Sequence, residues 1–280
     1  MRASLANARS PVITSVIREQ NVRDAIAAIK NSEYAGAQAF DLHLSCLETK
    51  YQNAHSLEAI IRSTEKPILV LNYNTDYSYV YHETTEDDRL ALLTRAAEVG
   101  ASAVDLQAYS YELSSKDSFD LRFATDEMAF VSELPKEVAL TPETIRRQKT
   151  FIRNMHDLGV EVLMSCHPAV FLNCGQVISL ARELASRGPD IVKIIIPLNT
   201  PQQLAENFKT IITLKQEITN CKIHFHGTGA YGKVTRFMNP MLGAHMAFCV
   251  ERYTQSSNFE QIHLKTFADA INSLDWREKS

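Results

Sequence analysis

The sequence has no concentration of positive charge anywhere along its 280 residues. Its 29 lysines and arginines are scattered among 33 acidic residues, which gives a formal net charge of −4 and a pI of about 6.1. A nucleic-acid surface needs a basic stripe to offset the phosphate charge. We therefore expect no nucleic acid among the partners of this protein.

Paired cysteine motifs and long apolar runs are also missing. None of the five cysteines forms a Cys-x-x-Cys pair, which argues against a zinc site or a thioredoxin-like redox centre. Their odd number and their places in or beside apolar runs are typical of buried free thiols in a reducing compartment. Residues 1–10 carry no apolar signal-peptide core, and no stretch is long enough to span a bilayer. We expect a soluble cytoplasmic protein that has no membrane partner.

What the chain does have is a regular alternation of short Val- and Ile-rich segments with helical patterns. Eight strands are predicted, at residues 11–17, 39–44, 67–73, 102–108, 160–166, 190–197, 222–227 and 245–250. Apolar residues at helical spacing mark segments between most of them, among them 22–30, 89–100, 176–188 and 203–218. Gly100, Gly159 and Gly188 are expected to end helices just before the next strand.

This alternation predicts an α/β fold with a parallel sheet whose outer face is covered by helices. Eight such units predict a (β/α)8 TIM barrel, with its active site at the C-terminal ends of the strands. The structural alternative is a doubly wound sheet, but no Gly-x-Gly-x-x-Gly follows any strand. No linker or repeat interrupts residues 1–280, so we expect a single domain.

A long segment, about residues 109–142, separates the fourth predicted strand from the helix at 143–157. It combines aromatic residues, such as Tyr109 and Tyr111, with many charged ones. Loops of this length are uncommon in compact domains and often act as lids or binding elements. Its position after a strand places it on the active face of a barrel. A surface hairpin or a dimer contact is an equal alternative.

Lys193 is the most informative polar residue because it interrupts the apolar run 190–197. A lysine buried in a strand costs several kcal/mol if it is charged and unpaired. Burial lowers the pKa of an amine and so favours the neutral form, which attacks a carbonyl to form a Schiff base. The alternative is a structural lysine that is paired with a buried carboxylate inside the barrel.

His167 ends the fifth predicted strand and precedes Pro168, so we expect its side chain to reach the active face. An unperturbed imidazole, with a pKa of about 6.5, transfers protons in both directions near neutral pH. Because its strand comes directly before that of Lys193, the two side chains are expected to be neighbours. Together they are the minimum set for imine chemistry. The alternative is a hydrogen-bonded structural histidine.

The segment 224–237 carries glycines after the seventh strand and then Arg236. Loops after the seventh and eighth strands of such barrels commonly bind anions, and a guanidinium binds a carboxylate or phosphate bidentately. His224 and His226 alternate along the strand and so face the same side. A metal site is the alternative interpretation of this pair. No carboxylate cluster completes it, so we expect neither a metal nor a cofactor.

Taken in order, these segments resemble the type I 3-dehydroquinate dehydratase family. The resemblance covers about residues 11–274 outside the 109–142 insertion, and its most specific parts are Ser-Cys-His, which ends at His167, and Asp-Ile-Val-Lys-Ile, which contains Lys193. It implies that Lys193 forms an imine with the ketone of a carboxylated substrate and that His167 removes the proton beside the imine. It also implies that Arg236 clamps the substrate carboxylate and that the protein is a homodimer.

Three further positions follow from the same resemblance. Gln261 matches a glutamine that assists the clamp, and Ser257 stands nearest to the serine that accompanies it. Phe248 matches an aromatic residue of the pocket wall. The resemblance implies that all three contact the substrate.

The second and third strands depart from the family pattern. Asp41 and His43 stand where the family has Glu-x-Arg, and a run that contains Tyr73 replaces the arginine that closes the third strand. In the family, these groups hold the ring hydroxyls of the substrate. Asp41, His43 and Tyr73 are therefore candidate binding residues for a substrate whose substituents differ.

The combined hypothesis is a Schiff-base-forming hydro-lyase, a carbon–oxygen lyase that dehydrates a carboxylated cyclic hydroxy-ketone through an imine on Lys193. The substrate is expected to be 3-dehydroquinate or a relative of it. Two alternatives stay open on the sequence. One is a class I aldolase or retro-aldolase acting on a carboxylated ketone, and the other is a non-catalytic ligand-binding homologue of the dehydratases.

Overall fold

The computed structural model describes residues 3–73, 85–112, 137–168, 170–254, 257 and 259–274. The strands in these ranges are β1 (Val12–Ile17), β2 (Ala39–His43), β3 (Ile68–Leu71), β4 (Ala103–Gln107), β5 (Glu161–Cys166), β6 (Ile191–Pro197), β7 (Lys222–Thr228), β8 (Met246–Val250) and β9 (Ile262–His263). The α-helices are α1 (Val22–Tyr34), α2 (Ala54–Ile61), α3 (Glu86–Glu98), α4 (Pro142–Asp157), α5 (Cys174–Ala185), α6 (Pro201–Glu217), α7 (Gly232–Leu242) and α8 (Leu264–Ser273). Each predicted strand is confirmed, and only the short β9 was not expected.

The strands form one curled parallel sheet in the order β7-β6-β5-β4-β3-β2-β1-β8-β9. Neighbours in the chain are neighbours in the sheet from β1 to β7, and β8 then pairs with β1. At the other edge, the backbone N–H of His245, just before β8, donates to the carbonyl of Ile223 on β7 at 2.7 Å. The predicted α/β fold is confirmed, and the curled sheet is consistent with a TIM-like architecture.

Both faces of the strands are buried, which explains why the strand segments are almost continuously apolar. On β6, Val192, Ile194 and Ile196 point outward and join a large hydrophobic cluster with helix residues such as Ala181 of α5 and Leu214 of α6. Successive side chains of a strand point to opposite faces, so the residues between these three point inward. One of the inward positions on β6 is Lys193.

A second cluster fills the concave side of the sheet at the N-terminal ends of the strands. Leu5 is fully buried there, in one hydrophobic cluster with residues from seven strands: Val12, Ala39, Leu69, Ala103, Leu163, Ile191, Met246 and Phe248. The N–H groups of Leu5 and Ala6 donate to Glu161 Oε2 at 2.7 and 2.9 Å. One cluster draws on strands from all around the sheet because the sheet curls about a common interior.

The predicted helix ends are confirmed at the three glycines. Gly100, Gly159 and Gly188 have φ values of 120°, 69° and 95°, in the left-handed region that a residue without a Cβ adopts at little cost. The middle of the predicted 109–142 insertion, residues 113–136 with Arg122 and Phe130, lies outside the described residues. Among the residues that are described, no helix has the length and apolarity that crossing a bilayer requires.

The position of Leu5 gives a stability test of this packing. Leu5→Ala should lower the free energy of unfolding by about 2–5 kcal/mol, because the truncation leaves a cavity that surrounding strands cannot fill. Urea denaturation followed by circular dichroism measures the change. Leu274, which is 52% exposed, is the matched control, and Leu274→Ala should change stability by about 0.5 kcal/mol or less. Equal effects of the two substitutions on the free energy of unfolding would show that Leu5 is not part of the packed interior of the sheet.

Candidate functional site

A cavity of about 440 Å³ opens at the C-terminal ends of the strands. Each of the eight longer strands contributes a lining side chain, either from the strand or from the residue directly after it. In strand order these include Arg18, Asp41, Leu71, Gln107, His167, Lys193, His226 and Phe248. Because parallel strands end at one edge, residues far apart in the sequence converge here.

Lys193 lies in the middle of β6 and is 5% exposed. Its Nζ donates to Tyr73 Oη at 3.0 Å and lies 3.5 Å from Asp105 Oδ2. The ring centroids of Phe248 and Tyr73 lie 4.9 and 5.6 Å from Nζ, so the amine is held between aromatic rings. Lys193 therefore lines the cavity, and it is also paired with a buried carboxylate, as the structural alternative expected.

Asp105 is the partner of Lys193 that sequence reasoning did not single out. This carboxylate of β4 is fully buried, and it accepts hydrogen bonds from Ser165 Oγ at 2.6 Å and from Tyr73 Oη at 2.9 Å. Burial raises the pKa of Asp105, while the Lys193 ammonium opposes that rise. Tyr73 donates to Asp105 and accepts from Lys193, so its hydroxyl bridges the two. This arrangement can carry a proton from the amine to the carboxylate.

His167 directly follows β5 and lines the same cavity. It is partly exposed to the cavity, and its ring meets that of Tyr73 edge to face with centroids 5.5 Å apart. Burial lowers the pKa of His167 well below its usual range, and the positive charges of Lys193 and Arg236 lower it further. The imidazole is therefore neutral near pH 7 and can accept a proton, as a general base must.

Arg236 lies on α7, is 8% exposed and lines the cavity as predicted. Its Nε is 3.9 Å from Glu260 Oε2, and Glu260 Oε1 accepts a hydrogen bond from the N–H of Gly229 at 2.8 Å. The glycine loop and Arg236 lie close together at this corner, and Glu260 reaches between them. No local pattern predicts this contact, since Glu260 is 24 residues beyond Arg236 and belongs to another loop.

The other predicted binding residues divide into two groups. Those that line the cavity are Asp41, His43, Tyr73, Phe248 and Gln261. His43 Nε2 lies 3.4 Å from Asp41 Oδ2, so these two form a buried pair with each other. Ser257 is not among the lining residues, and its hydroxyl instead accepts a hydrogen bond from the N–H of Thr254 at 2.8 Å.

Several polar residues in or beside the cavity were missed, although a signal for them existed. Asp105 and Gln107 alternate along β4, and Arg18 is the first residue after β1, so all three are polar groups near strand ends that face inward. His226 was considered only as a metal ligand. Within the described part of the chain, no three histidine, cysteine, aspartate or glutamate side chains are grouped to hold a metal ion.

A comparison with protein-family models assigns the chain. The model described as type I 3-dehydroquinase matches residues 13–276. The chain belongs to the type I 3-dehydroquinase family. Membership implies a hydro-lyase, which agrees with the class expected from Lys193 and His167. A comparison with curated protein sequences finds no match.

Solved structures of dehydratases share the fold of this family member at low sequence identity. The type I 3-dehydroquinate dehydratase from Clostridium difficile, solved with covalently modified comenic acid, is 14% identical, with a TM-score of 0.71 over 98% of both chains. The enzyme from Geobacillus kaustophilus is 13% identical, with a TM-score of 0.73 over 98% of both chains. The enzyme from Enterococcus faecalis is 13% identical, with a TM-score of 0.70 over 98% of this chain and 99% of its own. At this identity, the likeness establishes the fold.

The buried histidines predict how stability depends on pH. Burial lowers the pKa values of His167, His224 and His226 well below the ordinary 6.5, so below about pH 6.5 the unfolded chain binds more protons than the folded one. The free energy of unfolding from urea titrations should therefore fall as the pH is lowered from about 7.5 to about 5.5. The raised pKa values of Asp105 and Glu19 oppose this trend, but two more histidines with lowered pKa values add to it.

Single substitutions identify the source of that pH dependence. His224→Gln should flatten the slope of stability against pH, because it removes a proton-binding group that only unfolding exposes. The same substitution at the exposed His55 is the matched control and should leave the slope as it is. A stability that rises as the pH falls over this interval would contradict the assignment of neutral buried imidazoles.

Proposed function

We propose that this member of the type I 3-dehydroquinase family is a Schiff-base-forming hydro-lyase that uses Lys193 as its nucleophile. The substrate is a carboxylated cyclic hydroxy-ketone, 3-dehydroquinate or a relative. The observation that carries the proposal is the Lys193 amine, set in a cavity 3.0 Å from Tyr73 Oη and 3.5 Å from a buried carboxylate. The proposal extends to a single closed barrel over residues 1–280 and, by family resemblance, to a cytoplasmic homodimer.

The first step is the generation of a neutral amine. Lys193 passes a proton to the Tyr73 hydroxyl while Tyr73 passes its own proton to Asp105 Oδ2. The carboxylate accepts this proton because burial raises its pKa, and Ser165 holds the other carboxylate oxygen in place. Proton transfer replaces a buried ion pair by two neutral groups, which lowers the cost of their burial.

The neutral amine of Lys193 then adds to the ketone carbon. The proton held by Asp105 returns to the hydroxyl of the resulting carbinolamine, which leaves as water, and the iminium that forms draws electrons from the adjacent C–H bond. His167, neutral before the step, removes that proton and returns it to the departing β-hydroxyl, which leaves as water. Hydrolysis of the imine releases the enone and restores the amine. Positioning of the base beside the imine supplies much of the rate, together with general acid–base catalysis.

Arg236 binds the substrate carboxylate at the edge of the cavity, with Gln261 beside it. Its guanidinium is nearly buried, and charge-assisted hydrogen bonds are stronger where water is excluded. On the opposite side, Asp41 and His43 pair with each other in place of the family's Glu-x-Arg. Sites that read hydroxyls through polar groups discriminate strongly, so this rebuilt side favours a substrate whose hydroxyls differ from those of dehydroquinate.

Borohydride trapping tests whether Lys193 forms the imine. Incubation of the protein with a panel of carboxylated ketones, 3-dehydroquinate included, and then with borohydride should add the mass of the reduced adduct. The gain should vanish in Lys193→Ala and persist in Lys209→Ala, which removes an exposed lysine whose side chain is 66% exposed. No mass gain with any ketone would favour a non-catalytic binding protein. Carbon–carbon cleavage products in place of water loss would favour the aldolase.

A substitution of His167 separates imine formation from elimination. His167→Gln should lower turnover by about 10²–10⁴-fold, because the base that removes and returns the proton is lost. Borohydride adducts should still form, since Lys193 and its proton acceptor are intact. Steady-state kinetics and intact-mass measurements provide the two readouts, and His55→Gln is the control. Turnover within threefold of wild type would exclude His167 as the proton shuttle.

A further inference from the structure

His226 occupies a place in the cavity to which the proposed reaction gives no role. It lies on β7, the strand that pairs with β6 on the side away from His167, and its backbone stands opposite Ile195. The residue is 1% exposed, and its side chain lines the same cavity as Lys193 and Arg236. Two histidines therefore flank Lys193, one from each neighbouring strand.

The hydrogen bonding of His226 fixes which ring nitrogen carries the proton. Nδ1 lies 2.8 Å from the carbonyl oxygen of Gly227, and because a carbonyl only accepts, Nδ1 must be the donor. Burial and the charge of Arg236 lower the pKa of His226 well below its usual range, so the ring carries this one proton only. Nε2 is thus a lone-pair acceptor. It is buried and has no hydrogen-bond partner among the described residues.

Two further acceptors, on other residues that line the cavity, are in the same condition. Asp41 Oδ1 and Gln261 Oε1 are buried without a hydrogen-bond partner among the described residues, while Asp41 Oδ2 faces His43. A buried acceptor that finds no donor costs about 1–3 kcal/mol. Three residues that line one cavity thus carry an unpaired acceptor, which indicates that the ligand supplies donors. An anionic group would be repelled there, whereas a hydroxyl donates and fits.

We propose that His226 is a specificity-determining residue whose Nε2 accepts a hydrogen bond from a hydroxyl group of the substrate. This inference deepens the proposed function, because it names the substrate group that the β7 side of the cavity reads. The hydroxyl lies between the ketone carbon at Lys193 and the carboxylate at Arg236. His226 lies on the strand next to that of Lys193, and the positive charge of Arg236 acts on its ring. Loss of that hydroxyl leaves Nε2 unpaired in the complex.

Binding of ligands that cannot form an imine tests this inference apart from the chemistry. Isothermal titration measures Kd for quinate, for its monodeoxy derivatives, each lacking one hydroxyl, and for cyclohexanecarboxylate, which lacks them all. In wild type, the removal of one particular hydroxyl should weaken binding about ten- to hundredfold. In His226→Leu, that difference should shrink to less than about threefold, and in His226→Gln, which offers an amide oxygen near the place of Nε2, much of it should return.

Two control measurements distinguish a lost hydrogen bond from misfolding and from a general effect on packing. Retained binding of cyclohexanecarboxylate by His226→Leu would show that the variant folds and keeps its carboxylate site. His224, one inward position deeper on β7 and not among the residues that line the cavity, is the matched control, and His224→Leu should keep the hydroxyl discrimination. Equal loss in His224→Leu would assign the effect to packing and overturn the inference.

The outcomes also separate this inference from the proposed function. Discrimination that survives unchanged in His226→Leu, or a wild-type protein that binds no member of the quinate series, overturns the role of His226, even if borohydride trapping succeeds. If the discrimination between hydroxyls depends on His226 but the protein traps no ketone, the role of His226 in binding is supported and the imine chemistry is refuted.

Discussion

The buried pair of Lys193 and Asp105 is the constraint on which the site depends. Removing two charges from water costs several kcal/mol per ion, and a pair of this kind is often no more stable than apolar side chains of equal volume. It is tolerated here because Tyr73 and Ser165 supply the hydrogen bonds that the carboxylate requires. The pair fits the proposed imine chemistry better than a role in stability, since Tyr73 and Asp105, which hold the Lys193 amine, can also accept its proton.

The curled parallel sheet brings these groups together through strand register. Ser165 on β5 stands opposite Lys193 on β6, which stands opposite His224 on β7. Side chains two residues apart on one strand face the same interior, so each strand adds a deep and a shallow inward position. Lys193 thus belongs to a deep polar layer with Asp105, Ser165 and His224, and His167 and His226 lie nearer the opening. The amine is therefore enclosed, with Asp105 in its own layer and His167 nearer the opening.

Local patterns predicted the elements of the fold but not the partners within the site. Strands, helices and their glycine ends depend on neighbours in the sequence, so the predicted strand bounds hold to within two residues and the bounds of the helices that were named to within four. Lys193 stood out because a lone charge interrupts an apolar strand. Asp105 did not, because its pairing joins residues 88 apart and depends on which strands face each other. The reach of Glu260 to Arg236 depends on the course of a loop, which periodicity does not report.

In the proposed carboxylate clamp, Glu260 competes with the substrate for Arg236. Its Oε2 lies 3.9 Å from Arg236 Nε, and it reaches this point over Gly232, where an added Cβ would lie 2.5 Å from Oε2. A substrate carboxylate at Arg236 therefore meets a resident carboxylate of the same charge. Since the Glu260 side chain is 29% exposed, it can turn toward solvent when a substrate binds. The free energy of substrate binding at Arg236 is then the difference between the interaction of the substrate carboxylate with the guanidinium and that of Glu260. A simple carboxylate gains little from that exchange. A ligand that also engages Lys193 gains the rest of its affinity inside the cavity, which makes the clamp selective for molecules that carry both groups.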